Sequence, residues 1–258
     1  VLVALVLVLS IGVFSYGVHF LYTGKALVLL LDGDLTKANF YFNQGEYYFN
    51  GGAYDLNKAE ENLLRSLALS GAEENPIHYQ LGRIHFIRGN ASAAIKEFNI
   101  EISLKHEYDR FPNYKRAYYM RGLTYAYLLK LDEAIKDFKS HLEWHPTSWA
   151  GYNDLVWVYF LKGDYLNAEK YARDGLQYKT NNAWLNNALG TALLNLGKFE
   201  EARKYLEIAK IEFDAMTPER WGQAYAGNNP ISYEGSLEVA RETVRRNLAL
   251  VTSKLQSE

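Results

Sequence analysis

Apolar residues recur at helical spacing through residues 36–213, and at two phases of that pattern the side chain is small. Ala59, Ala94, Ala134, Ala168 and Ala202 form one series, with spacings of 35, 40, 34 and 34 residues. Gly45, Gly82, Gly122, Val156 and Gly190 form a second, with spacings of 37, 40, 34 and 34. A small side chain lets one helix approach its neighbour, and larger residues at helical spacing fill the space around it. A period of 34 with two small phases predicts a repeated helix–turn–helix unit. The phrases "GDYLNAEKYA" (163–172) and "GKFEEARKYL" (197–206) are copies of one such unit, 34 residues apart.

Two segments depart from the pattern. In residues 232–256, Leu237, Ala240, Val244, Leu248, Val251 and Leu255 form one apolar stripe with charged residues opposite, which predicts a long helix. It reads as a cover for the last unit, or alternatively as a docking helix for a partner or a second copy. Between the two, "TPERWGQAYAGNNP" reads as irregular chain with one short helix. At the other end, residues 1–24 carry no Asp, Glu, Lys or Arg. At ~1.5 Å per residue, a helix of that length spans about 36 Å, enough to cross an apolar core of roughly 30 Å. With no small-residue cleavage site evident, the expectation is an uncleaved transmembrane anchor, followed by a juxtamembrane segment at 25–35. The orienting charges would lie before Val1, and the expected arrangement places the repeat domain on the extracytoplasmic side. His19 falls near the end of this segment, as an interfacial residue or as a buried ligand.

The repeats resemble the tetratricopeptide repeat (TPR). The family's first-helix pattern (large residue, Leu, Gly, aromatic) appears as Tyr118, Arg121, Gly122 and Tyr125, again as Tyr152, Leu155, Val156 and Tyr159, and as His78, Leu81, Gly82 and His85. The second-helix pattern appears as Ala94–Phe98, Ala134–Phe138 and Ala202–Leu206; Pro146 closes one unit, and turn glycines recur at Gly89, Gly163 and Gly197. Val156 in place of Gly, and Glu101 and His141 in place of Ala, are departures that predict looser packing. The 40-residue gap marks an insertion around "LKHEYDRFPN" (104–113), and the first unit has two extra residues near "NGGAYD". The resemblance implies an all-α fold, a right-handed TPR superhelix of about five helical hairpins over 36–213; the apolar patterns at the two ends add a C-terminal extension and capping helix over 214–258 and one N-terminal transmembrane helix over 1–24.

It also implies a concave groove lined by the second, fifth, ninth and twelfth positions of the first helices. By phase, unit one offers Asn39, Phe42, Glu46 and Phe49, and unit two Tyr79, Arg83 and Phe86. Unit three offers Arg116, Tyr119 and Leu123, unit four Asn153, Trp157 and Phe160, and unit five Trp184, Asn187 and Thr191. Asn suits an extended backbone, aromatics supply pockets and Arg pairs with carboxylates. Partial burial as structure is the alternative for the aromatics. Some family members grip a C-terminal carboxylate with Lys and Asn in the first unit; Phe42 and Glu46 stand at those positions here, so that clamp is not supported.

Composition narrows the function. The chain is 258 residues long, 48% hydrophobic and 22% charged, which excludes a disordered chain. A net charge of −2 gives no basic stripe and no case for nucleic acid. There is no cysteine, which removes disulfides and thiolate chemistry together. His141 and His145 lie four apart on one helix face, but no third metal ligand is evident; His78 and His85 stand at packing phases. No phosphate loop, nucleophile elbow or carboxylate pair appears. No catalysis, metal or cofactor is expected. Asn90-Ala91-Ser92 is a sequon at an expected turn, a glycosylation site if the domain is exported and otherwise a chance match. The expected job is that of a membrane-anchored, non-catalytic adaptor whose groove binds a protein or an extended peptide. The alternative is an accessory subunit of a larger membrane complex, held by its anchor and its convex surface.

Overall fold

The computed structural model describes residues 34–50, 54–70, 75–104, 113–224 and 236–257. Among the described residues there are twelve α-helices and no strand. The chain divides into two compact units, Val1–Ile77 and His78–Glu258.

In the first unit, α1 (Asp34–Asn50) packs on α2 (Leu56–Ser70). The contact is close because Gly45 has no side chain: a Cβ there would stand 2.8 Å from Leu63 Cγ. Ala38, Ala59 and Leu63 are fully buried around it, and the Ser66 hydroxyl donates to the Ala38 carbonyl at 2.8 Å. Asp55 starts α2, its carboxylate accepting from the Asn57 and Lys58 amides at 3.1 Å each. Those donors satisfy N–H groups that a helix start leaves without intrahelical partners.

The second unit continues the pattern with α3 (Ile77–Ile87) and α4 (Ala91–Ser103), α5 (Asn113–Tyr127) and α6 (Leu131–Trp144), α7 (Trp149–Leu161) and α8 (Tyr165–Tyr178), and α9 (Ala183–Asn195) and α10 (Phe199–Asp214). Each second helix also packs on the next first helix: α4 on α5, α6 on α7, and α8 on α9. Successive first helices touch as well, α5 with α7 and α7 with α9. The first helices therefore form the closely spaced layer of this unit, and side chains between their axes share one face.

Small residues set the hairpin geometry. A Cβ on Gly82 would lie 2.5 Å from the Phe98 ring, and one on Gly190 would lie 2.6 Å from Leu206 Cγ. At Gly122 the same atom would be 3.1 Å from Asp137 Cβ and 3.4 Å from the Phe138 ring. In each pair the large residue follows the glycine by 16 positions. The departures from the repeat pattern do not loosen the packing, contrary to the sequence expectation. Val156 is fully buried, and its partner by register, Ala172, is small and fully buried too. Glu101, also fully buried, accepts from the Tyr79 amide at 3.0 Å, in the first turn of α3. His141 Nε2 lies 3.0 Å from Ser148 Oγ, and Ser148 caps α7 by accepting from the Gly151 amide. These two polar side chains act at helix starts, where backbone donors need partners.

Beyond the hairpins come α11 (Pro218–Ala224) and α12 (Ser236–Gln256). Helix α12 packs on α10 and α9, burying Leu237, Val244 and Val251 of the apolar stripe. The Arg241 guanidinium donates to the Phe213 and Met216 carbonyls at 3.1 and 2.9 Å, binding the C-terminal end of α10.

The single-pass membrane placement expected from the sequence is corrected here. Among the described residues, no helix is long and apolar enough to cross a membrane. The physical reason is plain in the helices themselves: all but one have 17 residues or fewer, too short to span, and the 21-residue α12 carries charged residues opposite its apolar stripe. Residues 1–24, on which the anchor and His19 readings rested, lie outside the described residues, as does most of the 104–113 insertion.

Candidate functional site

Three first helices of the second unit place aromatic rings in one row. Phe86 near the end of α3 lies 5.8 Å from Tyr127 at the end of α5, and Tyr127 lies 5.5 Å from Trp157 in the middle of α7. All three stay accessible, and Tyr127 is 66% exposed. Trp157 stands one turn beyond Asp154 on the same helix, so both belong to one face.

Asp154 is the only charged residue in α7 and is just 7% exposed. Its Oδ2 accepts from the Tyr119 hydroxyl at 2.5 Å, and its Oδ1 from the Asn153 amide at 3.2 Å. Among the described residues no cation pairs with it. Burial drives its carboxyl up to about 6, and the Tyr119 and Asn153 bonds pull the other way. Although most of Tyr127 is exposed, its phenol is raised, by partial burial first and then by the charge on Asp154.

The other positions expected in the groove are distributed unevenly. In the first unit, Asn39 is exposed and accepts from Asn75 Nδ2 at 2.9 Å; Phe42 and Glu46 are half-buried, and Phe49 is buried. In the second unit Arg83 is buried, donating to Gln80 Oε1 at 2.8 Å, so it supports the fold of α3. Leu123 is buried in the core, Arg116 is exposed, and Tyr79 and Phe160 are half-buried. Trp184 lies 5.1 Å from Trp149 and stacks at 5.2 Å on Trp221 of α11. Thr191 accepts from Asn247 of α12 at 3.1 Å, so the C-terminal helix occupies the face of α9 at that point. The Asn187 amide oxygen is buried without a hydrogen-bond partner among the described residues. Asn90 is exposed in the turn between α3 and α4.

Tyr127 and Asp154 fall outside the four phases that the family pattern supplies. Asp154 did leave a signal, a lone carboxylate within the apolar run WAGYNDLVWVYFL. Tyr127 left none, because its ring neighbours, Phe86 of α3 and Trp157 of α7, come from other hairpins. The histidine pair is structural in its contacts: the His141 and His145 rings lie 5.8 Å apart, and His141 is buried against Ser148. Among the described residues, no three His, Cys, Asp or Glu side chains gather to hold a metal ion.

Comparison with known proteins agrees with this architecture. The tetratricopeptide repeat family model matches residues 115–147 and 185–209, within the α5/α6 and α9/α10 hairpins. The fold is an all-α, TPR-like helical repeat. Among solved structures, the chain resembles the MamA protein, with 18% identity and a TM-score of 0.58 over 69% of this chain and 92% of that one. MamA (41-end) from Desulfovibrio magneticus RS-1 is similar at 15% identity and a TM-score of 0.58, covering 70% of this chain and 97% of its own. YrrB, described as a TPR protein with an unusual peptide-binding site, aligns at 15% identity with a TM-score of 0.55, covering 69% and 87%. No curated protein sequence matches the chain.

Proposed function

We propose that the chain is a non-catalytic scaffold that binds a protein, through an extended peptide segment, along the first helices of its second unit. The aromatic row Phe86–Tyr127–Trp157 carries this reading. Accessible rings held at fixed spacing on a rigid face supply contact area at little entropic cost, and such rings dominate binding energetics. YrrB, one of the structural neighbours, is itself described as a peptide binder.

The test is selection from a random-peptide display library on the purified chain. Enriched peptides should bind Trp157→Ala on the order of tenfold more weakly, the loss expected of a central aromatic anchor. Circular dichroism should show unchanged helicity, since Trp157 is only half-buried. No enriched peptide, or equal affinity for the variant, overturns the reading.

A further inference from the structure

The buried carboxylate of Asp154 has two neutral donors and, among the described residues, no counter-charge, yet it sits one helical turn from the accessible Trp157, whose ring meets the exposed Tyr127. Burying a carboxylate without a cation is costly, and the Tyr119 bond that ties it across α5 and α7 supplies a donor but no opposite charge. An amide or an apolar residue would fill the same space. Hydroxyl and amide donors position the carboxylate without neutralising it. Aromatic faces are the surfaces on which ammonium and guanidinium groups are best held once partly desolvated. Charge complementarity, together with these walls, defines the missing group.

We propose that Asp154, walled by Tyr119, Tyr127 and Trp157, is the seat for a lysine or arginine side chain of the bound segment. The inference rests on the peptide-binding reading above and adds its specificity. The incoming cation pairs with the carboxylate while its stem lies along the Tyr127 and Trp157 rings. Tyr119 and Asn153 hold the carboxylate in one orientation, so the incoming group meets a positioned acceptor and the pair has the strength of a charge-assisted hydrogen bond.

The display selection decides this separately from the groove itself. Peptides enriched on the native chain should share a Lys or Arg at one fixed position. Replacing that residue by Met in a selected peptide should weaken binding on the order of tenfold. Against Asp154→Asn, the same replacement should change affinity by no more than about twofold, because the partner charge is gone. Should Asp154→Asn fail to fold, Tyr127→Leu serves instead: its site is mostly exposed, and removing one wall should reduce the preference for the basic residue over Met. Enriched peptides without a shared basic residue overturn the seat and leave the groove standing. So does a preference for the basic residue that survives in both variants. Absence of any enriched peptide overturns both.

Discussion

Val156 and Ala172 stand in α7 and α8 where Gly122 and Phe138 stand in the preceding hairpin and Gly190 and Leu206 in the following one. Bulk has moved from the second helix to the first, and both residues remain fully buried. Packing constrains the sum of the two volumes more tightly than either one.

The swap is testable as a thermodynamic cycle. Val156→Gly leaves a cavity and a helix-weakening residue, at a cost of about 2–3 kcal/mol. Ala172→Phe overpacks the same contact and costs about 1–3 kcal/mol or more. The double variant restores the arrangement of the neighbouring hairpins and should be more stable than the sum of the singles by at least about 1 kcal/mol. Urea unfolding measures this, and additive losses would refute the pairing.

The turn between α5 and α6 contains Leu129 at φ 57°, where the turns at Gly89, Gly163 and Gly197 hold glycine at φ 70–76°. No atom lies within 4 Å of a Cβ built on any of those glycines, so their advantage lies in the backbone alone. Leu129→Gly should therefore stabilise the protein by about 1 kcal/mol, although glycine frees the unfolded chain, and Gly163→Leu should destabilise it by a similar amount. Thermal and urea midpoints of the two variants should move in opposite directions.

Acid acts on two buried groups in opposite senses. Burial, assisted by the charges on His145 and Arg116, lowers His141 from 6.5 to about 4, while burial raises Asp154 from 3.8 to about 6. The His141 contribution to stability is complete above 6.5 and is lost as pH falls through about 4, because the unfolded chain takes up the proton first. The Asp154 contribution is complete below 3.8 and is lost as pH rises through about 6, because the folded state holds the proton. Each slope approaches about 1.4 kcal/mol per pH unit, and with opposite signs they offset each other. Relative to the native chain, Asp154→Asn should lose stability on acidification across this window and His141→Gln should gain it. Urea midpoints measured from pH 4 to 6 check this; three parallel profiles would refute it.

The hairpins were legible in the sequence because their cause is local and periodic. In three of the units the second-helix alanine follows the first-helix glycine by 12 residues (Gly82–Ala94, Gly122–Ala134, Gly190–Ala202), and the same glycines each meet a large residue 16 positions later. The stripe Leu237–Val244–Val251 foretold the burial of α12 for the same reason. Misreadings arose where a repeat position held an unusual residue. Val156, Glu101 and His141 looked like defects because a single-position comparison cannot see the compensating partner. Phe49, Leu123 and Arg83 share the phase of groove residues, but each is enclosed by its surroundings.

By itself the sequence determined an all-α solenoid of hairpins, since a period of small residues dictates close helix pairs wherever it occurs. The tertiary structure alone decided the chemistry of the face that the first helices share. Asp154 meets Tyr119 across 35 residues, and Tyr127 meets Trp157 across 30. Whether a carboxylate is buried without a cation, or a tyrosine left open beside it, depends on how two helices from different hairpins approach, and no local pattern encodes that approach.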